Sequence, residues 1–214
     1  MNESNQEKYL GDLIDSTGTI RKTVEERRNK GFGIVSEILA ILEEIPLGRY
    51  KLEIGLMLRQ AMLLNGTLYN SEAWHSITEA EIRMLEAVDE HLLRALVKGH
   101  AKTPLEFLYL EVGVIPIRYV LASRRLSYQQ TILQRDDSEL TKRIYLEQRK
   151  NPTSGDFVQL IAADFRLINE NQDDKEIMMT NSSTYKKQIR IKIRDAAYKY
   201  LKEKQLKHSK VKNI

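Results

Sequence analysis

Apolar residues recur at intervals of three and four along most of this chain of 214 residues, which is the spacing of one face of an α-helix. One such run lies between Thr19 and Pro46, and the segment Gly31-Phe32-Gly33 is expected to divide or kink it. A second run, over residues 49–68, is apolar almost all round, which is typical of a helix in the middle of a bundle. The spacing therefore predicts a mainly α-helical protein.

Local signals mark where later helices begin and end. Thr78-Glu79-Ala80-Glu81 is a capping box, so a third helix is expected to start at Glu79. This helix is expected to end at Lys98-Gly99, with the glycine in the left-handed conformation. Thr103-Pro104 places a proline at the first position of a short helix, which Gly113 closes. Further helices are predicted over residues 116–133, 138–150, 156–168 and 184–207.

Residues 9–14 alternate apolar and polar side chains and lead into Ser16-Thr17-Gly18, which predicts one short strand followed by a turn. No partner strand is visible in the chain, so we expect this strand to pair with another chain or with a sheet encoded upstream. The predicted fold class is mainly α, a helical bundle of about seven to eight helices with one short N-terminal β-strand. The predicted divisions are 1–18 for the strand and turn, 19–168 for the bundle, 169–183 for a polar linker and 184–214 for a basic C-terminal helix and tail.

The net charge of +4 conceals an asymmetry between the two ends of the chain. From Thr184 onward there are eleven Lys and Arg against Asp195 and Glu203, a local charge of +9, so the first 183 residues carry −5. A weakly acidic body with a basic tail favours contact between the tail and a polyanion. Charge alone leaves open the alternative of a solvated, lysine-rich helix.

Residue content excludes several functional classes. The absence of cysteine excludes disulfides, cysteine-ligated zinc, iron–sulfur clusters and thiol nucleophiles. The four histidines are far apart in sequence, so neither a histidine-built metal site nor a cofactor is expected. The most apolar stretch, residues 54–64, is shorter than the roughly 18 residues of a membrane span. The N-terminus is polar, so we expect no membrane partner and a nuclear or cytoplasmic protein that is not secreted.

Several short segments resemble one protein family, in the same order along the chain. They are 8–15 (KYLGDLID), 68–74 (LYNSEAW), 85–89 (LEAVD), Leu93-Arg94, 102–106 (KTPLE), 109–111 (YLE), Pro116-Ile117, Arg124-Arg125 and 208–211 (HSKV). Together these segments resemble the reverse transcriptases of non-LTR retrotransposons downstream of their catalytic palm. The resemblance implies a residual palm-edge strand, then a helical thumb and post-thumb bundle that contacts an RNA/DNA duplex.

The chain lacks the sequence motif that carries the polymerase chemistry in this family. Polymerisation needs paired aspartates that hold two magnesium ions, carried on a Y/F-x-D-D turn and an upstream strand. Asp136-Asp137 follows Gln134-Arg135, and Asp173-Asp174 follows Asn171-Gln172, so both pairs lack the aromatic residue. We therefore expect no enzymatic activity from this chain alone, although its parent family is RNA-directed DNA polymerase. A separate chain would have to supply the palm and fingers.

Two sets of cations are candidate phosphate contacts. The resemblance would place five residues of the first helix along the primer and template: Arg21, Lys22, Arg27, Arg28 and Lys30. The C-terminal helix is expected to dock by its apolar side while it presents a second set to a polyanion: Lys187, Arg190, Arg194 and Lys202. The alternative for both sets is a solvated amphipathic face, since Glu25 and Glu26 are interleaved in the first.

Four further residues have competing interpretations. By similarity Tyr9 and Gly11 would neighbour the primer grip, and the alternative is a core aromatic residue and a turn glycine. Trp74 is expected to anchor the start of the third helix rather than to stack on a base. Arg125 is expected on the solvated side of its helix.

The sequence and the resemblance together predict a non-catalytic nucleic-acid-binding fragment, and the alternatives are a helical protein-interaction module and an inert truncated gene copy.

Overall fold

The computed structural model describes residues 6–9, 12–15, 19–46 and 49–211, and these are mainly helical, as the apolar spacing predicts. The elements are β1 (Gln6–Tyr9), β2 (Asp12–Asp15), α1 (Arg21–Glu43), α2 (Arg49–Leu58), a π-helix (Arg59–Leu64), α3 (Asn65–Thr67), a 3₁₀ turn (Ser71–Ala73), α4 (Glu79–Val97), α5 (Leu105–Val112), α6 (Ile117–Leu133), α7 (Leu140–Lys150), α8 (Phe157–Leu167), α9 (Asp174–Met179) and α10 (Ser182–Val211).

The chain forms two compact units that do not follow the predicted divisions. Unit 1 comprises Met1–Tyr69, Thr78–Ile117 and Tyr198–Ile214, and unit 2 comprises Asn70–Ile77 and Arg118–Ala197. Residues up to Ala197 of α10 thus belong to unit 2 and later ones to unit 1. The sequence predicted a separate C-terminal helix because its composition is basic, and composition does not record which residues pack together.

The N-terminal segment is an antiparallel hairpin in which Gln6 lies opposite Asp15 and Tyr9 opposite Asp12. This differs from the expectation of one strand over residues 9–14 with no partner in the chain, since β2 pairs with the residues just before it. The predicted turn at residues 16–18 lies outside the described residues.

In unit 1, α1 is continuous through Gly31 and Gly33, so the predicted division of this helix is wrong. A Cβ atom added to Gly31 would lie 2.7 Å from Thr67 Cγ2 and 2.9 Å from Val88 Cγ1. Glycine at position 31 therefore permits a close approach between packed elements, although it lowers helix propensity. The core beside it contains Val35, Ile38, Leu42, Leu63, Val88 and Leu92.

The second predicted helix continues without a gap from α2 through the π-helix to α3. The expectation that it lies in the middle of a bundle is wrong for its first turns, because Tyr50 is 76% exposed and Met57 is 69% exposed. Single apolar side chains are common on protein surfaces. A hydrophobic sequence therefore does not by itself show that a helix lies in the middle of a bundle.

The capping box predicted for α4 is confirmed. The Glu81 amide donates to Thr78 Oγ1 at 3.3 Å, and the Thr78 amide donates to Glu81 Oε2 at 2.7 Å. At the other end Lys98, rather than Gly99, adopts the left-handed conformation, with a φ of 51°. Gly113 closes α5 with a φ of 69°, as predicted. Pro104 caps this helix, which begins one residue later.

In unit 2, the predicted linker over residues 169–183 contains helix α9. The Asp173 carboxylate caps this helix by accepting the amides of Lys175 at 2.9 Å and Glu176 at 3.2 Å. Ile177 is buried, which attaches the short helix to its unit. A six-residue helix with one buried apolar side chain has too weak a periodicity to be found from sequence. Within the described ranges, no helix combines the length and apolar character that crossing a membrane requires.

Candidate nucleic-acid interface

Three cations of α10 share one exposed face, which we call the α10 cationic face: Lys187, Arg190 and Arg194. In unit 2 the buried side of this helix follows a spacing of four and comprises Tyr185, Ile189, Ile193 and Ala197. At about 100° per residue, the three cations lie within about 60° of one another, and all three are exposed. Burial of the apolar residues thus fixes the direction of the positive charge.

The α10 cationic face is short and dense. Lys187 and Arg194 are separated by about 10 Å along the axis, at about 1.5 Å per residue. Phosphates of one DNA strand are spaced by about 3.4 Å of helix axis, so this length corresponds to about three phosphates. Lys192 lies elsewhere on α10, where its Nζ atom contacts Glu170 Oε1 at 3.0 Å. The geometry is therefore suited to contact with consecutive phosphates.

Arg27, one of the five α1 candidates, belongs to the core of unit 1. Its side chain is buried, and Nη2 donates to Asp12 Oδ1 at 3.0 Å. Nη1 donates to the Gly66 carbonyl oxygen at 3.5 Å, and the guanidinium lies 5.5 Å from the centre of the Tyr69 ring. The interpretation of Arg27 as a phosphate contact is therefore corrected to that of a structural ion pair.

The other four α1 candidates do not share one face. Arg21 Nε donates to Glu25 Oε1 at 2.9 Å, and the Arg28 guanidinium lies 5.1 Å from the Phe32 ring centre. Lys22 and Lys30 are exposed. At about 100° per residue, these four side chains spread over about 200° of the helix circumference. The four other cations of α1 therefore do not form one positively charged face.

Of the two residues associated with the primer grip by similarity, Tyr9 lies in strand β1. Tyr9 pairs with Asp12 across the two strands. Gly11 lies outside the described residues.

The acidic pairs take part in capping and ion pairs. Asp136 Oδ1 accepts the Ser138 amide at 2.9 Å and the Ser138 hydroxyl at 2.6 Å, and these hydrogen bonds lower the pKa of the Asp136 carboxyl. Asp137 pairs with Lys142 at 2.6 Å. Among the residues that the structure describes, no three His, Asp or Glu side chains are grouped so that they could hold a metal ion.

Sequence reasoning missed a buried ion pair in unit 2. Arg125 donates through Nε and Nη2 to the two carboxylate oxygens of Asp164, each at 2.7 Å. Burial raises the pKa of the Asp164 carboxyl, and the hydrogen bonds and charge of Arg125 oppose that rise. The expectation that Arg125 faces solvent is wrong. The partner that allows Arg125 to be buried is 39 positions away in sequence, and helical periodicity compares only residues a few positions apart.

A second buried pair stabilises unit 1. Arg59, the first residue of the π-helix, donates to both carboxylate oxygens of Asp89 at 2.6 Å. The Tyr109 hydroxyl donates to Asp89 Oδ2 at 3.0 Å, and burial followed by the charge of Asp89 raises the Tyr109 pKa well above its usual range. All partners of this carboxylate are buried within the unit, so the network is structural rather than a candidate binding site.

Trp74, the single tryptophan, is 3% exposed, which makes it a buried anchor in unit 2 and not an accessible stacking surface.

Comparison of the chain with known protein families, with curated proteins and with solved structures finds no match. The functional argument therefore depends on this chain's own residues.

Proposed function

We propose that this chain binds nucleic acid without catalysing a reaction, through phosphate contacts made by the α10 cationic face. The observation that carries this proposal is the convergence of Lys187, Arg190 and Arg194 on one exposed side of a helix. Guanidinium groups contact phosphates through two parallel hydrogen bonds, which a lysine ammonium cannot do. Such contacts hold a nucleic acid in position and do not read its sequence.

Several contacts are needed together. An exposed ion pair contributes about 0–1 kcal/mol, so one surface cation does not make a binding site. Three phosphate contacts release counterions, and on B-DNA they give a slope of about −2.7 in a plot of log K against log salt concentration. A steep salt dependence is therefore the signature of this function.

The proposed biological context is the thumb and post-thumb region of a reverse transcriptase of the non-LTR retrotransposon type. The colinear segments from KYLGDLID at residues 8–15 to HSKV at residues 208–211 support this relationship. The nucleic acid would then be an RNA/DNA primer-template duplex. Any polymerase activity would require a second chain that carries the palm and fingers, and we place the protein in the nucleus or cytoplasm on the same grounds.

A helical protein-interaction module is the second candidate function, and one observation favours it. Helix α7 exposes Leu140 by 69% and Ile144 by 49%, one helical turn apart, while it buries Lys142 and Tyr145. An apolar helix face turned toward solvent is typical of protein-binding surfaces. Binding through such a surface would depend little on salt.

The experiment that separates the two candidates is a fluorescence-anisotropy titration of the chain against a labelled RNA/DNA duplex at a series of salt concentrations. We expect binding that weakens steeply with salt, and Arg190→Gln is expected to make the slope shallower by about 0.9. Lys192→Gln is the matched control, because it removes the same charge from the same helix outside the α10 cationic face. No binding at low salt, or equal slopes for both variants, would contradict the proposal.

A further inference from the structure

Unit 2 contains an open cleft of about 400 Å³, within the range of about 300–1,000 Å³ that is usual for small-molecule sites. We call it the unit 2 cleft. Its walls come from the segment around the 3₁₀ turn, from α6 and α7, and from the start of α8. None of the described residues that line it belongs to α10, so the cleft is separate from the α10 cationic face.

Two aromatic rings form a corner of the unit 2 cleft. Tyr128 and Phe157 have ring centroids 6.0 Å apart and planes inclined at 78°, and both side chains are only partly buried. Because the planes are nearly perpendicular, a group that enters the angle between them contacts the faces of both rings. The face of an aromatic ring is its electron-rich side and attracts cations. The corner therefore favours a positively charged group.

A third aromatic residue, Tyr145, also lines the unit 2 cleft. Its hydroxyl oxygen accepts hydrogen bonds from Gln129 Nε2 and Gln172 Nε2, each at 2.9 Å. Burial raises the pKa of this hydroxyl to about 12, so Tyr145 is uncharged at neutral pH. Tyr145 thus adds aromatic surface to the cleft and no net charge.

The lining of the unit 2 cleft carries a negative charge. Among the described residues that line it, Asp156 is the only Asp, Glu, Lys or Arg. Asp156 Oδ2 accepts the amide and hydroxyl of Thr153, each at 2.7 Å, and these hydrogen bonds lower the pKa of the Asp156 carboxyl. Asp156 is therefore ionised at neutral pH. The N-terminus of α8 adds about half a positive charge nearby, which the full negative charge of Asp156 exceeds.

The same lining favours a methylated ammonium group over a primary one. A primary ammonium has three N–H donors, and each needs an acceptor when water leaves it. Asp156 Oδ2 already accepts two hydrogen bonds, Oδ1 accepts one from Gln148 Nε2 at 3.4 Å, and the rings beside them offer faces instead of acceptor atoms. A trimethylammonium group has no N–H, and its positive charge reaches the rings through its methyl groups.

We propose that the unit 2 cleft binds a trimethylammonium group, held against the faces of Tyr128 and Phe157 and near the Asp156 carboxylate. Attraction between a cation and aromatic faces is the usual means by which proteins recognise quaternary ammonium ligands. Two kinds of molecule carry this group, a free small molecule such as choline and a trimethylated lysine side chain of a peptide. Because the cleft and the α10 cationic face are different surfaces, binding at one does not require binding at the other.

The test is a proton NMR titration of the full chain with choline and with 3,3-dimethylbutan-1-ol, its neutral isostere, at about pH 8, where histidine side chains are neutral. Aromatic faces shift the signals of protons above them upfield, so the methyl signal of each ligand reports contact with the rings. We expect a saturable upfield shift for choline and an affinity at least about tenfold higher than that of the isostere. Ethanolamine, the primary ammonium analogue, should displace choline only weakly. Equal affinities of choline and the isostere, or no shift of the choline signal, overturn the proposal.

Variants of the lining residues test each wall separately. Phe157→Leu keeps an apolar side chain but removes the ring, and it is expected to weaken choline binding about fivefold, whereas Phe157→Tyr keeps the ring and should bind normally. Asp156→Asn can still accept hydrogen bonds from Thr153, so it should fold and should weaken the binding of choline but not of the isostere. Glu147→Gln is the matched control, because it removes an exposed carboxylate of α7 outside the cleft. A Phe157→Leu variant that binds choline normally contradicts the proposal.

Two further measurements identify the source of the ligand and separate this site from the proposed function. Tighter binding of N-acetyl-trimethyllysine amide than of choline supports a modified peptide as the natural ligand, and the reverse order supports a small molecule. Arg190→Gln, which should weaken duplex binding, is expected to leave choline binding unchanged. Salt-sensitive duplex binding without choline binding overturns only the cleft proposal, and choline binding without duplex binding overturns only the proposed function.

Discussion

Helices α1 and α10 are both rich in cations, yet the structure uses these cations in opposite ways. In α1, five cations fall within residues 21–30, and one of them, Arg27, is buried in an ion pair with Asp12. In α10, the cations Lys187, Arg190 and Arg194 lie together on one exposed face. The density of positive charge along a sequence therefore does not identify a phosphate-binding face, because burial decides where each charge points.

The position of the apolar stripe explains the difference. In α1, Arg27 occupies a place in the stripe between Val24 and Gly31, all of which are buried, so its charge needs an internal partner. In α10, the cations Lys187, Arg190 and Arg194 occupy exposed positions near the buried residues Ile189 and Ile193 in sequence. Changes to residues of both helices test this comparison, and the expected effects decrease from Arg27→Ala to Arg21→Gln.

The largest effect is expected from Arg27→Ala. This change removes the guanidinium that pairs with the Asp12 carboxylate in a largely buried place, and loss of one member of such a pair costs about 3 kcal/mol of the free energy of unfolding. Urea denaturation measures the change. Arg28→Ala, the neighbouring cation, is the control and is expected to cost much less. Equal losses for the two variants would show that Arg27 is no more structural than its neighbour.

Charge removal from the two helices should affect nucleic-acid binding differently. The triple variant Lys187→Gln, Arg190→Gln, Arg194→Gln is expected to weaken duplex binding at least tenfold, about 1.4 kcal/mol, and to reduce the salt slope by about 2.7. A second triple variant takes the same charge from α1 by changing Arg21, Lys22 and Lys30 to Gln, and its slope should change far less. Anisotropy titrations measure both. A larger effect from α1 would reverse the comparison.

Gly31→Ala tests the close approach at the middle of α1. The added Cβ atom would meet side-chain atoms of Thr67 and Val88 at 2.7 Å and 2.9 Å, and overpacking of this kind costs about 1–3 kcal/mol. The better helix propensity of alanine returns up to about 1 kcal/mol, so we expect a net loss of about 1 kcal/mol in thermal or urea unfolding. Gly33→Ala is the control, because no atom lies within 4 Å of its added Cβ, and it should stabilise α1 instead.

The smallest effect is expected from Arg21→Gln. Its ion pair with Glu25 joins two exposed side chains one turn apart, and such pairs contribute about 0.3–0.5 kcal/mol. The free energy of unfolding should therefore fall by no more than this amount, and by less at high salt, where exposed charges are screened. A loss as large as that from Arg27→Ala would contradict the distinction between paired surface cations and buried ones.

Structural features that depend on residues only three or four positions apart were predicted correctly. The capping box at Thr78 and the closing glycine at Gly113 are confirmed, because both depend on hydrogen bonds between near neighbours in sequence. The break at Gly31 was wrong, since the packing partners of that glycine, Thr67 and Val88, are distant in sequence. Helix α9 was missed because the capping residue Asp173 lies in a polar segment that resembles a linker.

The sequence by itself determined that the chain is mainly helical, where several helices begin and end, and that positive charge is concentrated toward the C-terminus. These properties follow from helical periodicity, local capping and composition. Only the tertiary structure decided that Arg27 and Arg125 are buried in ion pairs while Lys187, Arg190 and Arg194 share an exposed face. The reason is that an arginine is buried only where a distant carboxylate compensates its charge, and chain folding alone brings the two together.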